Sequence, residues 1–539
     1  MLKAKNRFFI SILEIEEPNL CLEGHLTGAL QESCIVYAKD QKGTRYEGEI
    51  FHLPNRDRYD ENGNKTTKGT GFRMKLPLKA GRKYTFWIKV NEKKEKKLTP
   101  SFGRFSKLTK KTDACYYTKG KYLLKPLGEG IAIKNNSRKI RWKAEWKLLK
   151  FLAREKEFQL VMIRVVTKLM KRFQKNKVWI LCDRSYLAGD NGEALFRHIQ
   201  GVKPVGVKAY FMLDAKSRDY NRMKKTGPVL KKDSFYYKCK FLCADKIISS
   251  HADAWVINAF EDKMDYVRDL CDFSFVFLQH GIAMNDMSVW LHRHSKNIKM
   301  LVSSAKPEYD AFLSYPYEYG PDVIKLTGLP RYDNLINEAE KKIVFLPTWR
   351  KRLAGPVVQG SSEHVYSESF KDSAYFRFYN QLIGDPDLLQ CMKEHGYTGE
   401  FYVHPAFDVQ SRDFVGNDTI QVITETADYN AVFRENALLV TDYSSVAFDF
   451  AYMKKPVVYT QFDKDTFFEG HAFVEGYFDF EKDGFGPVCM DYKSAVETLI
   501  LYIKGQCEMA EIYKKRVDKF FAHNDRDNCT RVLDAIMNI

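Results

Sequence analysis

Seven residues of this chain could do chemistry from positions that a sheet would bring together: His280, His404, Thr348, Arg350, Asp442, Ser444 and Ser445. Each follows an apolar run. FVFLQHG ends in His280, EFYVHP in His404, IVFLPTWR in Thr348 and Arg350, and ALLVTDYSS in the other three. Imidazole, guanidinium, carboxylate and hydroxyl are the groups that move protons and hold anions. An imidazole titrates near neutrality and can act as base or acid. Gly281, after His280, lets a ligand approach the backbone. In DYSS, Asp442 or Ser444 can cap the next helix, whose first N–H groups lack internal partners. With the Ser444 and Ser445 hydroxyls, those groups suit a phosphate oxygen without a lysine. Singly, each stretch also reads as ordinary structure, a capped helix or a core histidine. Two histidines at like positions in two halves favour a shared cleft. The aromatic loop at 465–488 adds His471 and Glu475, suited to base stacking or acceptor contact.

The elements that must position these residues are legible. From 176 onward, short apolar runs alternate with helical segments: VWILC, YFML, KIISSH, FVFLQHG, KMLVSSA and VIKLTG, then KIVFLPTWR, EFYVHP, TIQVIT, ALLVTDYS and PVVYT. Such alternation means βαβ units and parallel sheets. The expected class is α/β, with two doubly wound Rossmann-like lobes at 176–337 and 338–539, the second carrying the C-terminal helices. Ligands should bind at the carboxyl ends of the strands, in the cleft between the lobes. Residues 1–135 read as a small antiparallel β-rich accessory domain. Residues 136–175 read as a basic amphipathic helical segment. Between 138 and 177 there are fourteen Lys/Arg against three Glu, interleaved with Trp142, Trp146, Leu149, Leu152 and Leu160. That composition suits the headgroup region of an anionic bilayer, a linker helix lying on its own protein or, least favoured of the three, nucleic acid.

A chain of 539 residues is too long for one core and implies two or three domains. Its net charge of +17 implies an anionic partner: nucleic acid, a membrane surface or a phosphate-rich substrate. Eleven scattered cysteines fit a reducing compartment. No secretory signal opens the sequence, and no run approaches the ~20 apolar residues that span a bilayer. The expected place is therefore the cytoplasm, with peripheral membrane contact. There is no G-x-x-x-x-G-K-[ST], no G-x-G-x-x-G after a strand, no H-E-x-x-H and no G-x-S-x-G, and no D-x-D in a suitable turn. No metal-ligand cluster is read, so no cofactor is expected; a magnesium ion on the phosphates stays an open alternative.

Six motifs occur together and in order: QHG at 279–281, TGLPRYD at 327–333, PTWR at 347–350, VHP at 403–405, TDYSSVAFDFAY at 441–452 and GYFDFEKDGFGP at 476–487. In these the chain resembles the CDP-glycerol glycerophosphotransferase family, the teichoic acid primases and polymerases of Gram-positive bacteria, over roughly residues 176–539. The resemblance implies a two-lobed fold of the GT-B type. It implies a CDP-alditol in the C-terminal lobe and a lipid-linked polyol-phosphate or glycan acceptor on the other. Peripheral attachment to the inner membrane face follows, with no nucleic-acid partner. The family's two important histidines fall on His280 and His404, and its phosphate-binding helix mouth on Ser444 and Ser445. Arg331, inside TGLPRYD, joins the substrate-binding set. The implied reaction has an acceptor hydroxyl attack the phosphorus carrying glycerol or ribitol while CMP leaves. His280 would be the base, and His404 and Arg350 would neutralise the diphosphate. This chain has Gln-His-Gly-Ile-Ala where many members have Trp-His-Gly-Thr-Pro, which leaves the acceptor's identity open. The alternatives are a GT-B glycosyltransferase using a nucleotide sugar and a nonenzymatic basic protein that binds membrane or nucleic acid.

Overall fold

The computed structural model describes residues 7–27, 34–59, 65–67, 69–90, 94–356, 364–424, 429–467 and 475–539. His471 lies outside these. Among the described residues up to Asn135 there are β-sheets of five and of seven strands and a small two-stranded ribbon of Arg58–Tyr59 with Lys65–Thr67. Pairing is antiparallel except that Arg7–Glu16 runs parallel to Pro100–Ser106. Alternating inward residues such as Phe8, Leu22, Phe72, Phe86 and Ile131 fill the core between the sheets. Ion pairs of Arg293 with Glu23 (3.0 Å) and Lys299 with Glu14 (2.9 Å) tie this unit to the next.

The basic segment is two helices, α1 (Arg138–Arg154) and α2 (Phe158–Phe173). The Ser137 side chain caps α1, accepting from the Ile140 N–H. Between the helices Lys156 takes a left-handed φ of +61°, which breaks the rod. Arg164 of α2 is fully buried and bridges Glu145 of α1 (2.7 Å) and Asp269 (2.7 Å), fastening the pair to the body.

Two parallel sheets follow. The first has strands in the order Val229–Lys231, Val207–Leu213, Lys177–Cys182, Lys246–Ser249, Ser274–Phe277, Ile298–Ser303 and Ile324–Leu326. The second runs Ile420–Ile423, Thr398–Tyr402, Glu340–Phe345, Asn436–Thr441, Val457–Thr460 and Val488–Cys489. Strands such as VWILC and ALLVT are apolar on both faces because helices cover both sides. In each sheet the winding reverses beside its first strand, opening a crevice at the carboxyl ends. In the first lobe the crevice lies between Cys182 and Ser249; in the second, between Phe345 and Val440.

The C-terminal helix Asn528–Met537 returns to the first lobe. It packs beside α3 (Asn191–Val202), and Asp333 accepts from the Asn528 and Cys529 N–H groups at 2.8 Å. One hydrophobic core therefore spans both lobes, with Phe196, Leu278 and Tyr332 meeting Phe448, Tyr452 and Leu533.

Candidate functional site

In the first lobe, three strand ends build one wall of the cleft. Cys182, Ser249 and Phe277 are in register, so the residues just beyond them, Arg184, His251 and His280, emerge side by side. The His251 and His280 rings stack, 5.0 Å between centroids and 8° apart in plane. His280 keeps an exposed side while the surrounding protein crowds its ring and excludes much of the water around it. Its loop is fixed from behind. Gln279 takes a left-handed φ of +62°, and its amide donates to the Val302 carbonyl (2.6 Å) and to buried Glu308 (3.0 Å). Gln279 is thus a buried strut behind the loop. Such a conformation costs of order 1–3 kcal/mol and persists only where the surroundings hold it.

Asp183 is buried and accepts from the Asp190, Gly192 and Glu193 N–H groups and from the Ser250 hydroxyl. Burial, with Asp190 close by, pushes its pKa up to about 7. Its neighbour Arg184 is exposed and forms no ion pair among the described residues.

In the second lobe, the corner after Asn436–Thr441 faces this wall. A Cβ placed on Gly281 would lie 3.0 Å from the Ser445 hydroxyl, so the two lobes approach closely here and a side chain at 281 would press on that hydroxyl. Beyond Thr398–Tyr402, His404 stacks on Trp349, 6.0 Å and 18°. Farther along, a Cβ on Gly476 would collide with the Met284 carbonyl, so GYFDFE lies against the loop that follows His280. Glu475 is exposed beside that contact.

All three imidazoles are shifted toward the neutral form. Burial lowers the pKa of His280, and it lowers His251 and His404 each to about 4. The Arg184 charge adds to the depression at all three, which places it electrostatically between the lobes.

Three expected substrate contacts are corrected. Asp442 is fully buried and does not cap the following helix. Its carboxylate accepts from the Thr348 N–H (2.8 Å), the Tyr443 N–H (2.6 Å), Arg350 (2.9 Å) and the Tyr379 hydroxyl (3.3 Å). Arg350, 2% exposed, is spent on Asp442, on Asp463 (2.6 Å) and on the Thr348 carbonyl (2.6 Å). It cannot reach a diphosphate. Arg331 makes five hydrogen bonds inside the protein: to Asp449, to Asp190 (2.9 Å) and to the His280 carbonyl (2.7 Å). Burial opposes its charge, and the two carboxylates outweigh that, holding its pKa above the ordinary guanidinium value.

The helix mouth is also smaller than expected. The helix Val446–Tyr452 has seven residues, with Ser445 as its N-cap and no side-chain cap. The Ser444 hydroxyl accepts weakly from the Val446 N–H (3.4 Å). Thr348 contributes a buried hydroxyl with no hydrogen-bond partner among the described residues. Among the described residues, no three of His, Cys, Asp and Glu meet as metal ligands.

Sequence reasoning passed over His251 and Arg184. Both sit one or two residues past an apolar strand, in KIISSH and VWILCDR, the same signal that picked out His280.

The family model described as CDP-glycerol:poly(glycerophosphate) glycerophosphotransferase matches residues 163–538. The minor teichoic acid biosynthesis protein GgaB of Bacillus subtilis (strain 168) is 36% identical over 544 residues, covering 98% of this chain and 59% of GgaB. The teichoic acid poly(ribitol-phosphate) polymerase of Bacillus spizizenii is 26% identical, covering 45% of this chain and 38% of that one. The chain thus spans well under two thirds of either relative. Among solved structures, the wall teichoic acid polymerase TagF superposes with a TM-score of 0.52 at 16% identity, over 74% of this chain and 97% of that one, a likeness of fold.

Proposed function

The chain belongs to the CDP-glycerol:poly(glycerophosphate) glycerophosphotransferase family, and from that premise we propose that it moves an alditol phosphate, glycerol or ribitol phosphate, from a CDP-alditol to a hydroxyl of a lipid-linked polyol-phosphate or glycan acceptor. The observation that carries this reading is the close approach of Gly281 to Ser445, which brings the crevices of both sheets together, with His280 next to Gly281 and His404 within electrostatic reach of Asp442 and Arg184.

In this reaction the acceptor oxygen forms a bond to the phosphorus that carries the alditol. The bond from that phosphorus to the CMP oxygen breaks, and CMP leaves. The acceptor proton passes to His280, whose depressed pKa leaves it neutral at pH 7 and ready to accept. His404 is neutral there too and serves as a hydrogen-bond donor rather than as a cation. The fixed positive charge for the diphosphate is Arg184, taking the part expected of Arg350. The Ser444 and Ser445 hydroxyls and the nearby N–H groups orient phosphate oxygens. Positioning and charge stabilisation do most of the work in such a transfer.

No described helix is long and apolar enough to cross a membrane. A lipid-linked acceptor then requires the protein to work from the bilayer surface, which the net charge of +17 favours at an anionic leaflet.

The test is incubation with CDP-glycerol, CDP-ribitol and UDP-sugars in the presence of a synthetic lipid-linked acceptor, with mass spectrometry of the products. CMP release with an alditol phosphate added to the acceptor supports the proposal. UDP release with a sugar added would replace it by the glycosyltransferase reading.

A further inference from the structure

At the edge of the first lobe's sheet opposite the catalytic cleft, the amino ends of strands Lys177–Cys182 and Val207–Leu213 border an open cavity of about 440 Å³. Lys175 from the loop after α2, Lys208 from the strand Val207–Leu213 and Lys240 from the helix Phe235–Leu242 line it, together with Tyr210, Tyr236 and Phe173. Lys208 and Lys240 both lie over the Tyr210 ring, at 5.6 and 5.2 Å, and Lys240 also over Tyr236 at 5.4 Å. Among the described residues no carboxylate lines the cavity. None of the three lysines forms an ion pair among the described residues. Two ammonium groups converging on one ring without a counter-charge make a site that an anion completes.

Phe173 ends a stripe along α2. Phe158, Met162, Val165, Leu169 and Phe173 are 62%, 56%, 41%, 54% and 74% exposed, spaced 4, 3, 4 and 4 apart, on one face of the helix. The opposite face, with Leu160 and Ile163, is buried against the body. A helix apolar on both sides is covered on both sides, by protein or by lipid. Val205, 97% exposed, adjoins the same edge, where the Lys177 N–H donates to the Gly206 carbonyl. On α1, Trp142 and Trp146 are exposed with rings 6.0 Å apart, and Lys150 lies over Trp146. Exposed tryptophans, lysines and an apolar helix face together are the composition of a bilayer interface.

We propose that the Lys175–Lys208–Lys240 cavity holds the phosphate of an anionic glycerophospholipid, with its acyl chains along the Leu169–Phe173 end of the stripe. The proposal rests on the reading that the protein works at a membrane surface, and it deepens that reading to a defined headgroup site. It sets the catalytic cleft at the far end of the sheet, away from the docked edge.

The experiment uses the full chain and short-chain lipids below their micelle concentration. Dihexanoyl phosphatidylglycerol, dihexanoyl phosphatidylcholine and inorganic phosphate are titrated with a tyrosine-fluorescence or native mass-spectrometry readout. The expected result is one saturable phosphatidylglycerol site, at least tenfold weaker binding of phosphatidylcholine, and no saturation by phosphate over the same range. Lys208→Ala/Lys240→Ala should weaken phosphatidylglycerol binding about thirtyfold, roughly fivefold for each lysine. The control pair Lys139→Ala/Lys143→Ala on α1 should leave it within about twofold. CMP release with a water-soluble acceptor, measured in parallel, should be unchanged in both pairs. Equal binding of the two lipids, saturation by phosphate alone, or an unaffected Lys208/Lys240 variant would overturn the headgroup site while leaving vesicle binding to be read separately. Self-association through the stripe with no lipid bound would overturn both.

Discussion

Arg331 of the first lobe and Asp449 of the second form a two-pronged ion pair, with Nη2 at 2.7 and 2.9 Å from the two carboxylate oxygens and Nε at 3.0 Å from one of them. The same guanidinium holds the His280 carbonyl. One side chain therefore joins the lobes and sets the position of the candidate base. Asp449, the single acid of an otherwise apolar helix, is buried at 1% exposure and exists for this contact. Asp449→Asn leaves Arg331 charged and short of its partner. Breaking a buried pair this way costs about 3–5 kcal/mol. The expected outcome is a lowered denaturation midpoint together with reduced CMP release. Arg331→Lys keeps the charge but loses the fork, so it should retain more stability than Arg331→Ala and still lose turnover.

Arg184 and Arg350 should separate cleanly. Arg184→Ala removes an exposed cation facing both lobes. Its folding stability should stay within about 0.5 kcal/mol of the parent. Its turnover should fall about a hundredfold to a thousandfold, as for loss of one charge-stabilising donor. Arg350→Ala instead strands Asp442 and Asp463 and should unfold the second lobe by about 3–5 kcal/mol. Circular dichroism in denaturant and CMP release on both variants check this. A stable, active Arg350→Ala protein, or a normal Arg184→Ala enzyme, would reverse the assignment.

These two arginines also show where sequence reading stops. Both follow apolar strands, and nothing local distinguishes them. Arg350 is sequestered by Asp463, 113 residues away in sequence, across the Asp442 corner. Asp442 itself looked like a helix cap because DYSS follows a strand; its oxygens turn back to Thr348 and Arg350. Alternation and strand-end polarity did carry the two-lobed α/β fold, because buried parallel strands must be apolar and must end where polar groups can meet solvent. The family, too, was legible from the six spaced motifs and is the one whose model matches. Pairing partners were not, since they depend on which distant loops the winding brings to one crevice.

His280→Ala should reduce kcat by about 10²- to 10⁴-fold with the fold intact, and His280→Gln should do no better. The pH profile is the sharper readout. Burial lowers the His280 pKa below the ordinary imidazole value of 6.5, so the base is neutral from there upward. CMP release should be flat above pH 6.5 and decline only below it. Arg184→Ala takes away a charge that disfavours imidazolium, so its acid limb should move to higher pH. An acid limb that stays put in that variant would sever Arg184 from the histidines.

The seam between the β-rich unit and the first lobe should titrate independently of the cleft. His25 and His292 are buried there, and burial lowers their pKa values to about 4 and about 3. The positive charge of Arg56 and the nearby His294 push the same way. Glu23, facing His294, Arg293 and Arg73, is held down to about 2 despite burial. Unfolded histidine binds its proton below 6.5 while the folded seam refuses it, so the unfolded state gains protons first as pH falls. The stabilisation is therefore complete above pH 6.5 and is lost progressively toward pH 3–4, at ~1.4 kcal/mol for each tenfold change in proton affinity. Glu23 adds to the loss only below about 4.5. The thermal midpoint should drop across this window, and the drop should be shallower in His25→Gln. That variant should keep its CMP release at pH 7.5, because the seam lies outside the crevice that holds His280 and His404.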